Sequence, residues 1–208
     1  MSDIITNTTV AISHEYQDVI GEICNIGMGS CASTLSLLLS HRVVIDTPKV
    51  RVCTGSGLRD LLGTAAVGVS IIYELGLNGS SMLILRDRDV KIVTDIMMGG
   101  TGQIKDDFVL NEMDMSAIGE AMNQMVASSV TSLTTILRRK IEISTPKLFN
   151  IDFKSDDIMT ELKFLPDQQL VVVSFSLNIA DIMNSTAFQI LHMDSALELT
   201  NIFKTVYS

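Results

Sequence analysis

Residues 14–50, HEYQDVIGEICNIGMGSCASTLSLLLSHRVVIDTPKV, and residues 112–148, EMDMSAIGEAMNQMVASSVTSLTTILRRKIEISTPKL, align without a gap at a shift of 98 positions. Identities fall at Ile20/Ile118, Gly21/Gly119, Glu22/Glu120, Asn25/Asn123, Ser30/Ser128, Leu35/Leu133, Leu39/Leu137 and Ile45/Ile143, and Thr47-Pro48-Lys49 recurs as Thr145-Pro146-Lys147. Self-similarity at one fixed shift is the signature of an internal duplication. Both copies carry the same Glu-x-x-Asn pair, Glu22/Asn25 and Glu120/Asn123. A spacing of three on a helix puts both side chains on one face, one turn apart.

Working outward, residues 12–40 and 110–139 have apolar spacing that predicts one long helix opening each copy, as at Ile20, Ile23, Leu35, Leu38 and Leu39. Alternating β-rich runs follow, RVVIDTPKVRV and KIEISTPKLFNI, each with a proline suited to a strand end or sheet edge. Further strands are predicted at 65–73 and 79–86 in the first copy and at 168–178 and 184–192 in the second. DRDVKIVTDIMM and DSALELTNIFK predict a closing helix for each, and GGTGQIKDDFVL from Gly99 reads as the connector. The predicted fold is α/β: a duplicated helix-strand-strand-strand-helix unit with pseudo-two-fold symmetry. Its sheet is mainly antiparallel and flanked by two long helices. The chain, 1–208, is read as one compact domain of two repeats, 12–98 and 110–205.

Composition narrows the function. A net charge of −9 and a pI near 4.7 argue against nucleic acid as a partner, because phosphate binding needs clustered Lys and Arg, and Arg138-Arg139-Lys140 is too short a cluster. No apolar run approaches the ~18 residues of a membrane span, so none is expected. MSDIITNTTV lacks the pattern of a signal peptide, so a cytoplasmic protein is expected. Cys24, Cys31 and Cys53 form no disulfide or metal framework and read as small packing residues, the first two on one helix face.

The Glu and Asn of each copy stand among small or apolar neighbours, EICNIGMGSCAS and EAMNQMVASSVTS, as two polar groups that a docked protein could receive in its own site. The plainer reading of such a pair is a solvated helix face. Gly21, Gly27 and Gly29 each lower helix stability by up to ~1 kcal/mol relative to Ala. Either a partner's close approach or packing within this chain would account for them. The glycines of GGTG at 99–102 read as a helix C-cap and linker, since no strand precedes them and no Lys-Ser/Thr follows. His14, His41 and His192 lack metal-ligand spacing, and Ser128, Ser129 and Thr131–Thr135 have no companion His.

In EICNIGMGSCASTLSLLL with IDTPKV, and LNEMDMSAIGEAMNQMVASSVTSL with IEISTPKL, the chain resembles the CheC/CheX/FliY phosphatases of bacterial chemotaxis. Two active helices, where CheX is expected to have one, point to CheC or FliY. SAIGEAMNQM and DIMMGGTG look closest to the CheC-like core of FliY. A full FliY is expected to add an N-terminal regulator-binding segment and a FliN-like C-terminal domain, so the chain reads as that core or as a stand-alone CheC. Cys24 departs from a position where the family commonly has a smaller residue.

The resemblance implies a phosphatase acting on the phospho-aspartate of the response regulator CheY. Asn25 and Asn123 would position the attacking water, and Glu22 and Glu120 would anchor a basic group of the regulator. No cofactor of its own is implied; Mg²⁺ comes with the bound regulator. The implied partners are phosphorylated CheY, with CheD for a CheC or the switch proteins FliM and FliG for a FliY. The implied location is the flagellar motor or the chemoreceptor array. The alternative is a non-catalytic adaptor that binds CheD or the switch. Met28, Met122 and Met125 near the two faces read either as a pliable docking surface or as core.

Overall fold

The computed structural model describes residues 12–62, 65–152, 165 and 167–207; MSDIITNTTV lies outside them. Helix α1 runs from His14 to Leu39, with Ser13 accepting from the Tyr16 amide at its N-cap and Ser40 left-handed at its C-cap. Strand β1 follows (Val43–Thr54), then a 3₁₀ turn at Gly55–Gly57 and a short helix α2 (Leu58–Leu62). Strands β2 (Ala65–Leu75) and β3 (Ser80–Arg86) and helix α3 (Asp87–Met97) complete the first copy. The second copy comprises α4 (Glu112–Ile136), β4 (Glu142–Ile143), β5 (Lys147–Asp152), β6 (Gln169–Ile179), β7 (Met183–His192) and α5 (Met193–Tyr207).

Seven antiparallel strands form one sheet in the order β1-β6-β7-β3-β2, with β5 and β4 both on β2. The copies therefore interleave: the first strand of each pairs with the second strand of the other. At the centre β3 pairs antiparallel with β7, Leu83 opposite Gln189. The axis relating the halves thus stands perpendicular to the sheet and turns the helices lying on it end for end.

Alternation along the strands decides which residues enter the core. Val67, Val69, Ile71 and Tyr73 of β2 and Val171, Val173, Phe175 and Leu177 of β6 face α1, α3, α4 and α5, forming the main core with Ile20, Leu35, Ile118 and Met122. The other sheet face carries a smaller cluster in which Leu58 and Leu62 of α2 cover Ala66, Ile84, Val172 and Ile190. Over 18 residues α1 has a mean hydropathy of 1.2, apolar enough to cross a bilayer by length and composition, which the sequence reading did not find. In the fold this helix is a core element: Ile20, Ile23, Met28, Leu35 and Leu39 are all buried.

The repeated Thr-Pro-Lys does not end a strand in the first copy. Thr47 takes a positive φ of 56° and the register shifts between Asp46 and Lys49, so Pro48 sits at a bulge within edge strand β1. In the second copy the same tripeptide separates β4 from β5. The glycines after α3 do form its C-cap and linker: Gly99 has φ +87° and its amide bonds the Ile96 carbonyl, while the Gly102 amide donates to Asp95 Oδ2 at 2.8 Å.

Gly76, in the turn between β2 and β3, has φ +85°, and a Cβ there would collide with the Lys140 carbonyl oxygen. Gly76→Ala is expected to lower unfolding free energy by about 2 kcal/mol, read as a shift in urea midpoint at constant m.

Candidate functional site

Solvent-facing residues on α1 recur as Asp18, Glu22, Ile26, Gly29, Ser33 and Leu37; those on α4 recur as Ser116, Glu120, Gln124, Ala127, Thr131 and Thr135. Shifted by 98, the two stripes coincide position for position. Glu22 and Glu120 lie on them, and Asn25 and Asn123 lie one turn further along, at their edge. Cys24 points the other way, into the core, where burial pushes its thiol up to about 12. It is chemically inert there.

The two helices cross where small side chains allow it. A Cβ on Gly27 would stand 2.6 Å from Ser129 Oγ, Cys31 Sγ donates to the Met125 carbonyl at 3.3 Å, and the Ser30 and Ser132 hydroxyls are 2.5 Å apart. Gly27 and Met125 are equivalent positions, as are Cys31 and Ser129, so these contacts straddle the pseudo-two-fold axis. Each Glu/Asn pair precedes the crossing on its own helix, and the helices are antiparallel. The two pairs are therefore carried to opposite ends of one exposed surface.

The glycines sort by what they touch. Gly21 faces Val50 and Pro48, with Val50 Cγ2 at 3.5 Å from a hypothetical Cβ, and Gly119 meets Leu148 Cδ2 at 3.4 Å; both admit the following strand. Gly27 serves helix packing. Gly29 has open space around it, on the exposed stripe. Of the methionines near the faces, Met28, Met122 and Met125 are buried and belong to the core.

The polar pairs differ between copies. Asn123 is exposed, and Glu120 accepts a 2.7 Å hydrogen bond from Gln124 Nε2. Asn25 is half-buried, and its Oδ1 is shut away from solvent with no donor among the described residues. At the position of Gln124 the first copy has Ile26, 36% exposed. Beside Glu22 runs a cleft of about 230 Å³ lined by Gln17, Asp18, Gly21, Glu22, Pro48 and Val50.

Each opening helix is tied at its start by the closing helix of the other copy. On α4, Asp114 is fully buried and accepts from Lys91 Nζ at 2.8 and 3.0 Å, Thr94 Oγ1 at 2.7 Å and the Asn111 amide at 2.9 Å. Asn111 Oδ1 accepts from the Asp114 amide in return, closing a capping box. On α1 the tie is at the surface: Lys204 bonds Glu15 and lies 4.1 Å from the Tyr16 ring centroid, and Tyr16 donates to Asn201. Among the described residues, no three His, Cys, Asp or Glu side chains gather as a metal site requires.

The crystal structure of Thermotoga maritima FliY superposes with a TM-score of 0.84 at 33% identity, covering 95% of this chain and 100% of that one. The chain belongs to the CheC/CheX/FliY family of chemotaxis phosphatases. It is 36% identical over 188 residues to the Bacillus subtilis flagellar motor switch phosphatase FliY, covering 90% of this chain and 49% of that one, about half the relative's length. The Bacillus subtilis CheY-P phosphatase CheC is 26% identical over 140 residues, 66% of this chain and 67% of that one. The CheC-like family model matches residues 113–149, a span that holds Glu120 and Asn123. The same fold occurs in the Helicobacter pylori FliG–FliM complex, at TM-score 0.73 and 12% identity, covering 91% of this chain and 100% of that one.

Sequence reading singles out the four Glu and Asn residues; the fold carries the two pairs to opposite ends, with Glu22, Glu120 and Asn123 exposed and Asn25 half-buried. That reading passes over Asp18 and Gln124, which lie one turn from Glu22 and Glu120. Their signal was available as i,i+4 spacing on the same stripes.

Proposed function

We propose that this chain removes the phosphoryl group from the phospho-aspartate of a CheY-type response regulator. What carries the reading is the repeated Glu-x-x-Asn pair, with Glu22, Glu120 and Asn123 facing solvent and Asn25 half-buried, in a chain of a chemotaxis phosphatase family. An aspartyl phosphate is already a reactive acyl phosphate, and its hydrolysis is accelerated mainly by placing water in line and stabilising charge. The regulator brings Mg²⁺ and a lysine to its own phosphoryl group. The phosphatase then has one task, to order the attacking water.

A carboxamide suits that task, since it donates, accepts and never ionises. In this reading Asn25 and Asn123 enter the regulator's site and hold the water, while Glu22 and Glu120 pair with a basic group beside it and set the docking register. Neither copy supplies a nucleophile, because water attacks phosphorus directly. Beyond Asp18 and the two glutamates the stripes are uncharged, and the small Gly29, Ser33, Ala127 and Thr131 on them let the regulator's surface come close to the helix. By the same reading the protein works in the cytoplasm at the flagellar motor switch, the place named for its Bacillus subtilis FliY relative.

The test is direct. CheY phosphorylated with acetyl phosphate, then freed of donor, should lose its phosphoryl group faster with catalytic amounts of this chain. Decay at the rate of CheY alone would overturn the reading.

A further inference from the structure

We infer that the two faces divide the work, the second hydrolysing the phosphoryl group and the first holding the phosphorylated protein; the inference rests on the phosphatase reading above. Three differences between equivalent positions lead to it.

The carboxamides differ first. One end of the Asn25 amide is closed off: its Oδ1 is enclosed and, among the described residues, has no donor. Turning the amide over would only enclose its NH₂ end instead. Asn25 therefore presents only part of its amide to a docked partner in this rotamer, whereas Asn123 stands exposed.

Docking groups differ next. Glu120 is held by Gln124 at 2.7 Å, on a helix whose start is locked by buried Asp114. Glu22 has Ile26 in the place of Gln124 and is on a helix tied by a surface ion pair. The second face is thus preset for a single geometry.

Charge and shape differ last. Asp18 lies one turn before Glu22, about 6 Å along the helix, and both line the cleft floored by Gly21 and walled by Pro48 and Val50. Such a cleft fits a lysine or arginine, its aliphatic stem against Pro48 and Val50 and its cation between two carboxylates. In the second copy Ser116 stands at the position of Asp18, Met115 at that of Gln17 and the bulkier Leu148 at that of Val50. Glu112 is two turns from Glu120, about 12 Å, too far to share one cation. Lys49 and Lys147 follow the proline in both copies and do not separate them. Asp18 is the residue that makes the first face a holding site.

The 208-residue chain carrying Asn25→Ala, Asn123→Ala, both together, Asp18→Ser or Ser116→Asp would be assayed for kcat and KM against phosphorylated CheY at two salt concentrations, with circular dichroism to verify folding. Asn123→Ala should lower kcat tenfold or more and Asn25→Ala less than twofold. Asp18→Ser should raise KM about fivefold and flatten its salt dependence, and Ser116→Asp should lower KM. Equal losses of kcat for the two asparagine variants, or a KM indifferent to Asp18, would overturn the division of labour. Failure of the phosphatase reading looks different: the double asparagine variant would then retain the full rate.

Discussion

With alanine at both Asn25 and Asn123, phosphorylated CheY is expected to decay at its own rate, a loss of about a hundredfold in the acceleration that this chain provides. The size of the effect follows from the simplicity of the site. Neither stripe holds a cysteine or a histidine to act as nucleophile or base, so Ser33 and Ser116 stay unactivated hydroxyls and no second route remains once the carboxamides are gone. The fold should be indifferent to the change. Alanine has the highest helix propensity, Asn123 is exposed, and removing the Asn25 carboxamide relieves an enclosed oxygen that has no donor among the described residues. Single-turnover decay of labelled phosphoryl-CheY measures the rate, and co-sedimentation with a non-hydrolysable phosphoryl mimic measures binding. Lost rate with retained binding is the expected pair of results. By contrast, Glu22→Ala with Glu120→Ala should weaken binding first, because those carboxylates pair with the regulator rather than with the water.

How much of this was legible from residues alone depends on how local each feature is. The 98-residue shift exposed both opening helices and the β-rich runs after them, because a duplication repeats the local apolar spacing as well as the identities. Strands 65–73, 79–86, 168–178 and 184–192 were each within two residues of those found, since Val, Ile and Phe alternate there between two chemically distinct faces. Interleaving of the copies was not legible. Which strand lies beside β1 is settled by contacts more than a hundred residues apart, and nothing in RVVIDTPKVRV names β6 as its neighbour.

Helix α2 was missed for a different reason. LRDLL is a single turn and a half preceded by Gly-Ser-Gly, too short to show a helical period, and it forms because Leu58 and Leu62 are needed over the sheet's second face. The proline of Thr-Pro-Lys suits a strand end or a sheet edge; in the first copy it is the edge that applies, with Pro48 at an internal bulge of β1 that local sequence does not specify. At the candidate site, residue types and spacing showed which side chains share a face. They did not show the inequality of the copies, since the enclosure of Asn25 Oδ1 and the cleft beside Glu22 depend on packing from elsewhere in the fold.

Asp114→Asn is expected to lower unfolding free energy by about 3 kcal/mol, which for a chain of this size is a fall in Tm of roughly 6–12 °C. In sequence Asp114 looks like an ordinary acid in the first turn of a helix. In the fold it is buried, and its carboxylate receives two bonds from Lys91, one from Thr94 and one from the Asn111 amide. Burial alone would raise its pKa, but the bond from the Asn111 amide, with those from Lys91 and Thr94, outweighs burial and lowers it below the ordinary 3.8. A carboxyl whose folded pKa is depressed adds stability that is fully present above the unfolded value and lost as pH falls through the folded one. Wild-type protein should therefore lose this contribution only on acidification below about pH 4, while Asp114→Asn loses it at every pH and shows a shallower acid transition. Lys91→Met should also destabilise, by leaving the carboxylate buried without its cation. Combining the two changes should cost less than their sum, which a double-mutant cycle in urea would measure. The functional consequence falls on one face. Asp114 is six residues before Glu120, so loosening the start of α4 should speed amide exchange around Glu120 and raise KM, whereas α1, tied by Lys204 and Glu15, stays as it was.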